Sequence, residues 1–117
     1  MENKKILIID DDKCILRFFQ LILQRKGYYT DTAETGKEAL KKINDQSYDV
    51  VFVDLILPDT NGLNLLKSIP PLTKKIVMTG VVSEEYQKKA YKDGALAYLI
   101  KPVKPEELLQ IISDLTS

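Results

Sequence analysis

The chain has no histidine, and its 117 residues include a single cysteine, Cys14. Without histidine, Ser-His-Asp and Cys-His catalysis are excluded, together with the side chain that most often binds transition metals. A lone cysteine excludes an internal disulfide and a cysteine-based zinc site, which agrees with a reducing compartment. Any chemistry must therefore use carboxylates, hydroxyls and lysines.

The sequence also lacks an excess of charge and any long apolar run. Lys plus Arg and Asp plus Glu number 17 each, so the formal net charge is +0 and no basic stripe is expected to bind nucleic acid. No apolar run approaches the roughly 18 residues that span a bilayer. Residues 1–5 lead directly into a predicted strand rather than a signal peptide. We therefore expect no membrane partner and a cytoplasmic location.

What the chain does contain is an alternation of apolar strands and amphipathic helices, repeated five times. Gly27 and Gly94 are placed to end helices, and Thr35, Ser83 and Pro105 to begin them. The predicted strands are residues 5–9, 28–33, 50–53, 76–78 and 97–100. This pattern predicts one domain, residues 1–117, with an α/β, doubly wound (βα)5 fold: a parallel sheet with helices on both faces.

Polar side chains follow four of the predicted strands, at the point where each apolar run ends. They are Asp10, Asp11 and Asp12 after the first strand, Asp54 after the third, Thr79 after the fourth and Lys101 after the fifth. In doubly wound sheets, ligands bind at the carboxyl ends of the strands. Carboxylates that converge there repel one another unless a cation is bound, and Mg²⁺ prefers such oxygen ligands. The site therefore suits metal-assisted phosphate chemistry.

Four segments carry a more specific resemblance. Residues 6–12, residues 50–54 with Pro58 and Gly62, residues 78–80, and residues 98–102 resemble the signature of response-regulator receiver domains, and the resemblance covers essentially the whole chain. It implies the flavodoxin-like fold, whose five-stranded sheet has the order 2-1-3-4-5. Receiver domains are a known example of this arrangement. It also implies a phosphorylated signalling domain, not an enzyme, that assists its own phosphoryl transfer and dephosphorylation.

The resemblance assigns the acidic residues to phosphoryl acceptance and metal binding. Asp54 would be the phosphoacceptor. Asp11, Asp54 and the backbone carbonyl of Ile56 would bind Mg²⁺, for which Mn²⁺ could substitute, and Asp10 would support the metal through a water molecule. A loose phosphoryl-transfer transition state depends mainly on alignment and charge neutralisation, so a weak carboxylate nucleophile is sufficient.

The same resemblance assigns the remaining strand ends to the phosphoryl group and to switching. Thr79, Gly80 and Lys101 would bind its oxygens, and movement of Thr79 would let the ring of Tyr98 turn inward. Partners would then read a changed surface of the fourth helix, fifth strand and fifth helix. Val81 and Ile56, which flank the path of attacking water in this family, are both apolar here, which predicts slow autodephosphorylation.

Partners also follow from the resemblance. The phosphoryl donor would be a histidine kinase or a phosphotransfer protein. The downstream partner would be an effector protein or an output domain. The phosphorylated chain could also form a homodimer. In the first helix, Ile15, Phe18, Phe19, Ile22 and Leu23 are predicted to face the core. Leu16 lies off that stripe and, with Pro102, is a candidate for kinase docking.

Three other functions compete with this interpretation. Residues 10–12 also begin the D-x-D motif of haloacid-dehalogenase-type phosphatases, although Cys14 stands where that family usually has Thr or Val and 117 residues leave no room for a cap domain. A flavodoxin would have to place a flavin phosphate against three aspartates. A phosphate-independent interaction module of receiver shape would not need the intact acidic, hydroxyl and lysine set. Taken singly, each of these residues could also be structural, as an Asp12 helix cap would be.

Overall fold

The computed structural model describes residues 3–117, which form one five-stranded parallel sheet in the order β2-β1-β3-β4-β5. This confirms the predicted order 2-1-3-4-5. The strands are β1 (Lys5–Ile9), β2 (Tyr29–Ala33), β3 (Val50–Val53), β4 (Lys74–Thr79) and β5 (Ala95–Ile100). The helices are α1 (Lys13–Arg25), α2 (Gly36–Asp45), α3 (Gly62–Leu66), α4 (Glu84–Lys92) and α5 (Pro105–Thr116). Met1 and Glu2, the first residues of the predicted 1–117 domain, lie outside the described residues.

Two hydrophobic cores lie on opposite faces of the sheet. Ile6 and Ile8 of β1 pack with α1 and α5, whereas Leu7 and Ile9 pack with α2, α3 and α4. Because side chains alternate between the faces of a strand, a strand covered on both sides must be apolar at every position. Residues 6–9 and 50–53 meet this requirement and are fully buried.

The helices begin and end where local signals place them. Asp12, Thr35 and Ser83 each accept hydrogen bonds from backbone N–H groups in the first turn of α1, α2 and α4. Such caps typically contribute about 1 kcal/mol each. Gly27 and Gly94 follow α1 and α4 with φ of 90° and 106°, a conformation that glycine adopts without steric cost. Among residues 3–117, no helix is long and apolar enough to cross a membrane.

Two strands are longer than the sequence predicts. β4 begins at Lys74 and β5 at Ala95, because Lys74 pairs with Val50 and Ala95 pairs with Lys75 in the sheet. Lys75 is only 7% exposed, although a lysine in a strand pattern suggests a strand end. Backbone pairing with an existing neighbour therefore extends both strands beyond their apolar residues.

The buried face of α1 differs from the prediction. Leu16 is 4% exposed and packs with Phe19 and Leu23 in the core, whereas Phe18 is 53% exposed. The expectation that Leu16 lies on the surface as a docking residue is therefore wrong. Apolar residues fill so much of α1 that several stripes at helical spacing exist, and the one through positions 16, 19 and 23 meets the sheet. Leu21 of the same helix is exposed.

Candidate functional site

Three carboxylates meet at the carboxyl edge of the sheet. β1 and β3 are paired with Ile9 opposite Val53, so Asp10 and Asp54, the next residues, leave the sheet side by side. Asp10, Asp11 and Asp54 each offer one carboxylate oxygen within 4.8 Å of the others. Asp10 and Asp54 are buried and Asp11 is exposed, so the cluster opens to solvent on the side of Asp11.

Lys101 neutralises part of this cluster. Its Nζ lies 2.5 Å from Oδ2 of Asp10 and 2.7 Å from Oδ2 of Asp54. The lysine directly follows β5, and its backbone N–H donates to the carbonyl of Thr79 at 2.8 Å, which holds it beside β4. The peptide bond to Pro102 is cis. One ammonium between two carboxylates leaves a net negative charge at the site.

Burial and neighbouring charges have opposite effects on the pKa values of Asp10 and Lys101. Burial raises the pKa of Asp10 above its usual value, although hydrogen bonds and the charge of Lys101 favour the ionised carboxylate. For Lys101, burial alone would lower the pKa, but the hydrogen bonds and charges of Asp10 and Asp54 outweigh it, so the pKa is raised. The Lys101 ammonium therefore stays protonated beside the two carboxylates.

The donor atoms fit a hard divalent cation. Asp10 Oδ1 accepts from the backbone N–H of Asp12 at 2.9 Å. Asp10 Oδ2 is buried and, beyond its ion pair with Lys101, accepts no hydrogen bond from residues 3–117. A buried oxygen with spare acceptor capacity, an exposed carboxylate at Asp11 and the carboxylate of Asp54 form an all-oxygen set, which suits Mg²⁺ and Mn²⁺.

The β4–α4 loop, residues 80–83, forms the other side of the site. Thr79 is fully buried, and its Oγ1 accepts a hydrogen bond from the N–H of Val81 at 3.3 Å. The hydroxyl of Tyr98 donates to the carbonyl of Val81 at 2.8 Å. Burial raises the pKa of this half-buried tyrosine. Around Gly80 there is free space, because a Cβ there would meet no atom within 4 Å.

The β3–α3 loop, residues 54–61, is packed much more tightly. A Cβ on Gly62 would lie 2.1 Å from the carbonyl oxygen of Asp54, so only glycine permits this close approach of two backbone segments. The N–H of Gly62 donates to the carbonyl of Leu55 at 2.7 Å, and the N–H of Ile56 donates to Oδ1 of Asp54 at 3.2 Å. The loop thereby fixes both the backbone and the carboxylate of Asp54.

One residue of this loop, Asp59, makes contacts that no local sequence signal predicts. The carboxylate of Asp59 accepts from the N–H groups of Gly36 and Lys37 at 2.8 and 3.0 Å, across more than 20 residues of sequence. These hydrogen bonds hold the pKa of Asp59 below its usual value. Thr35 already caps the same helix from a position with a clear local signal, whereas nothing in the sequence indicates a cap from so distant a residue.

An apolar groove of about 350 Å³ lies next to Lys101. Phe18, which the sequence analysis placed in the core, forms one of its exposed walls, and Pro102 forms another. The remaining lining residues are Ile15, Phe19, Met78, Lys101 and Val103. Pro102 therefore lies at an exposed apolar surface, as the docking hypothesis requires, and Leu16 does not.

Most of the predicted site residues are thus brought to one edge of the sheet. Asp10, Asp11, Asp54 and Lys101 form one cluster. Ile56 adjoins it through its hydrogen bond to Asp54. The residues that line the adjoining end of β4 and β5 are Thr79, Gly80 and Tyr98.

Comparison with known proteins identifies the class of protein that this fold and site define. The family model described as the response regulator receiver domain matches residues 6–113, so the chain belongs to this family. Among solved structures, it superposes on a CheY-like receiver domain protein from Methanospirillum hungatei JF-1 with a TM-score of 0.94 and 39% identity, covering 97% of this chain and 93% of that one. A two-component response regulator from Clostridium difficile gives a TM-score of 0.92 at 34% identity, covering 97% and 95%.

Curated relatives are longer than this chain. The response regulator ArlR of Staphylococcus saprophyticus is 38% identical over 107 residues, which are 90% of this chain and 49% of that protein. The regulatory protein PhoP of Bacillus subtilis, named for alkaline phosphatase synthesis, is 37% identical over 109 residues, 91% of this chain and 45% of that protein. The chain therefore spans about half the length of the curated relatives it matches. It is a receiver domain of the two-component response regulators.

Proposed function

We propose that this receiver domain accepts a phosphoryl group from the phosphohistidine of a histidine kinase or phosphotransfer protein onto Asp54. The observation that carries the proposal is the position of the Asp54 carboxylate at the end of β3, paired with Lys101 at 2.7 Å and flanked by Asp10 and Asp11. In the transfer, an oxygen of Asp54 forms a bond to phosphorus while the phosphorus–nitrogen bond breaks, and the imidazole keeps the electron pair. We place this activity in one domain, residues 1–117, in the cytoplasm.

Asp11, Asp54 and the backbone carbonyl of Ile56 are proposed to bind Mg²⁺ or Mn²⁺, with Asp10 acting through a water molecule. When bound, the cation neutralises charge that develops on the phosphoryl oxygens. Asp10 holds Lys101 in place through its ion pair and leaves one carboxylate oxygen with spare acceptor capacity. The hydrogen bond from Ile56 N–H to Oδ1 of Asp54 orients the acceptor carboxylate, so that Oδ2 lies towards Lys101.

Lys101, Thr79 and Gly80 are proposed to bind the transferred group. Lys101 exchanges its pairing with the Asp54 carboxylate for a phosphoryl oxygen, a charge-assisted contact that keeps an ion pair throughout. The Thr79 oxygen accepts from Val81 N–H, and because a hydroxyl can donate while it accepts, the Thr79 hydrogen can be donated to a phosphoryl oxygen once transfer has brought one there. Gly80 directly follows Thr79, and open space lies at its Cβ position.

Tyr98 is proposed to transmit this change to partners. Its hydroxyl donates a hydrogen bond to the carbonyl of Val81. A movement of the β4–α4 loop towards the phosphoryl group would therefore shift the partner of this bond and change the position of the ring. On the outer surface of α4 and β5, Tyr91, Leu96 and Ile100 are exposed apolar side chains. An effector protein, an output domain or a second phosphorylated copy would bind there.

The groove beside Lys101 is proposed as the docking surface for the phosphoryl donor, with Phe18 and Pro102 as its exposed walls. A donor seated there would lie next to the acceptor site, since Lys101 contributes to both. Phe18→Ser should slow phosphotransfer from the cognate kinase, whereas Leu21→Ser, an equally exposed change on the same helix, should not. Equal rates for both variants would remove the groove from the proposal.

Phosphorylation is tested directly by incubating the protein with Mg²⁺ and acetyl phosphate and measuring intact mass. We expect wild-type protein to gain one phosphoryl group and Asp54→Asn to gain none. A heteronuclear NMR comparison with beryllofluoride should move the amide signals of the β4–α4 loop and β5 in the wild type alone. Phosphorylation of Asp54→Asn to the wild-type extent would refute the assignment, and release of phosphate from unrelated esters would favour a phosphatase instead.

Mg²⁺ binding is tested separately by thermal unfolding. A ligand that binds only the folded state raises stability in proportion to the logarithm of its concentration. We expect the melting temperature to rise across millimolar Mg²⁺, and the rise to disappear in Asp11→Ala. Asp12→Ala, which removes a helix cap in the same loop, should lower the melting temperature and still respond to Mg²⁺.

A further inference from the structure

The β3–α3 loop is fastened to the start of α2, an element that contributes no residue to the acidic cluster. Both carboxylate oxygens of Asp59 are used, one by the N–H of Gly36 at 2.8 Å and the other by the N–H of Lys37 at 3.0 Å. A Cβ on Gly36 would lie 2.5 Å from Cγ2 of Thr60, so the glycine lets the helix and the loop approach closely. We call Gly36, Lys37, Asp59 and Thr60 the α2 clamp.

The same loop is bonded to the phosphoacceptor at its other end. Ile56 N–H donates to Oδ1 of Asp54, and Ile56 forms an antiparallel bridge with Asn61. Between Ile56 and Asn61, the N–H of Leu57 donates to the carbonyl of Thr60 at 3.3 Å, which closes the loop into a turn. The backbone at Ile56 is therefore held between two attachments, Asp54 on one side and the α2 clamp on the other.

We propose that Asp59 is a positioning residue for the metal and phosphoacceptor site, holding the backbone of Ile56 in place by fastening its loop to α2. Asp59 itself contacts no reacting atom. Groups that orient metal ligands from outside the coordination shell typically change metal affinity when they are removed. The inference rests on the proposed function, because it requires that Mg²⁺ bind at Asp11, Asp54 and Ile56.

The test compares two variants that each remove side-chain hydrogen bonds from the same helix terminus. Asp59→Ala removes the bonds that join α2 to the loop. Thr35→Ala removes the bond from Glu38 N–H to Thr35 Oγ1, which lies within the helix start and does not reach the loop. Both should lower thermal stability, but only Asp59→Ala should also weaken Mg²⁺ binding, by about tenfold.

Mg²⁺ affinity is measured by NMR titration of the full chain, with Mn²⁺ broadening of the Ile56 amide signal as a readout independent of phosphorylation. Asp59→Asn, which keeps one acceptor oxygen, should give an intermediate affinity and keeps the test available if Asp59→Ala does not fold. Equal Mg²⁺ affinities in Asp59→Ala, Thr35→Ala and wild type would overturn the positioning role and leave the proposed function intact. A wild-type protein that binds no Mg²⁺ would overturn the proposed function itself.

Discussion

The two loops that frame the site differ in how firmly they are attached. The β3–α3 loop is closed by internal hydrogen bonds, packed against Gly62 without room for a methyl group, and fastened to α2 through Asp59. The β4–α4 loop has open space around Gly80, leaves Val82 81% exposed, and is tied to the sheet through Thr79 and Tyr98. The β3–α3 loop, here called the rigid loop, is therefore the more constrained side of the site, and the β4–α4 loop, here called the mobile loop, is the less constrained side.

The proposed function requires two tasks, metal binding and switching, and this difference assigns each of them to a separate loop. Metal ligands must be held in fixed positions, since affinity depends on geometry set before binding. A switching segment must have two arrangements of similar free energy, which requires few buried contacts. The rigid loop lies beside Asp54 and the mobile loop beside Thr79, so each task has its own segment of chain.

The largest expected effect comes from adding one methyl group at Gly62, where α3 begins against the rigid loop. In Gly62→Ala, the new Cβ would meet the Asp54 carbonyl at 2.1 Å, and neither backbone segment can move aside freely. We expect a loss of roughly 3 kcal/mol or more in the free energy of unfolding, measured by urea denaturation. The matched change Gly80→Ala in the mobile loop should cost about 0.5 kcal/mol or less. Similar costs at both glycines would contradict the comparison.

The next largest effect is expected from removing the charge of Lys101, which pairs with both Asp10 and Asp54. Lys101→Met leaves the Asp10 and Asp54 carboxylates facing each other without a counterion, and should cost about 2 kcal/mol, less than for a fully buried pair because Lys101 is partly exposed. Millimolar Mg²⁺ should recover part of this loss in thermal unfolding. Lys104→Met, an exposed lysine nearby, serves as the control and should be neutral.

Removing the tyrosine hydroxyl tests the tether of the mobile loop. Tyr98→Phe loses the 2.8 Å hydrogen bond to the Val81 carbonyl, and should cost about 1 kcal/mol. Amide hydrogen exchange at residues 81–82 should become faster, while exchange in the rigid loop stays unchanged. The exposed Tyr91→Phe provides the comparison. Slower or unchanged exchange at residues 81–82 would mean that the tether does not restrain the loop.

The smallest expected effect is a pH dependence of the rigid loop. Because the pKa of Asp59 is lowered in the folded state, the unfolded chain binds a proton more readily. The carboxylate therefore stabilises the fold above the usual aspartate pKa of about 3.9, and this contribution is lost as the pH falls through the lowered value. Asp59→Asn should lose less stability than wild type between neutral and acidic pH, as followed by circular dichroism. A parallel decline of both proteins would contradict the linkage.

Much of the fold follows from local sequence signals. The continuous apolar runs of β1 and β3, the caps at Thr35 and Ser83, and the glycines after α1 and α4 each predict a feature that the structure contains. The face of α1 could not be predicted in the same way. Leu16 and Phe18 are both apolar and only two positions apart, and the choice between them depends on how the helix packs on the sheet.

The candidate site was predictable because parallel strands bring their carboxyl ends to one edge. Asp10, Asp54 and Lys101 needed only correct strand order to be placed together. Asp59 is different, since its hydrogen bonds join a loop to a helix that precedes it by more than 20 residues. Contacts of this kind have no period and no motif, so only the folded backbone reveals them.

The tether between Tyr98 and residue 81 ends on a main-chain oxygen. Every amino acid supplies that oxygen, so the link survives any side chain placed at position 81. The side chain at position 81 can therefore be replaced without removing the hydrogen bond that joins the loop to the tyrosine ring.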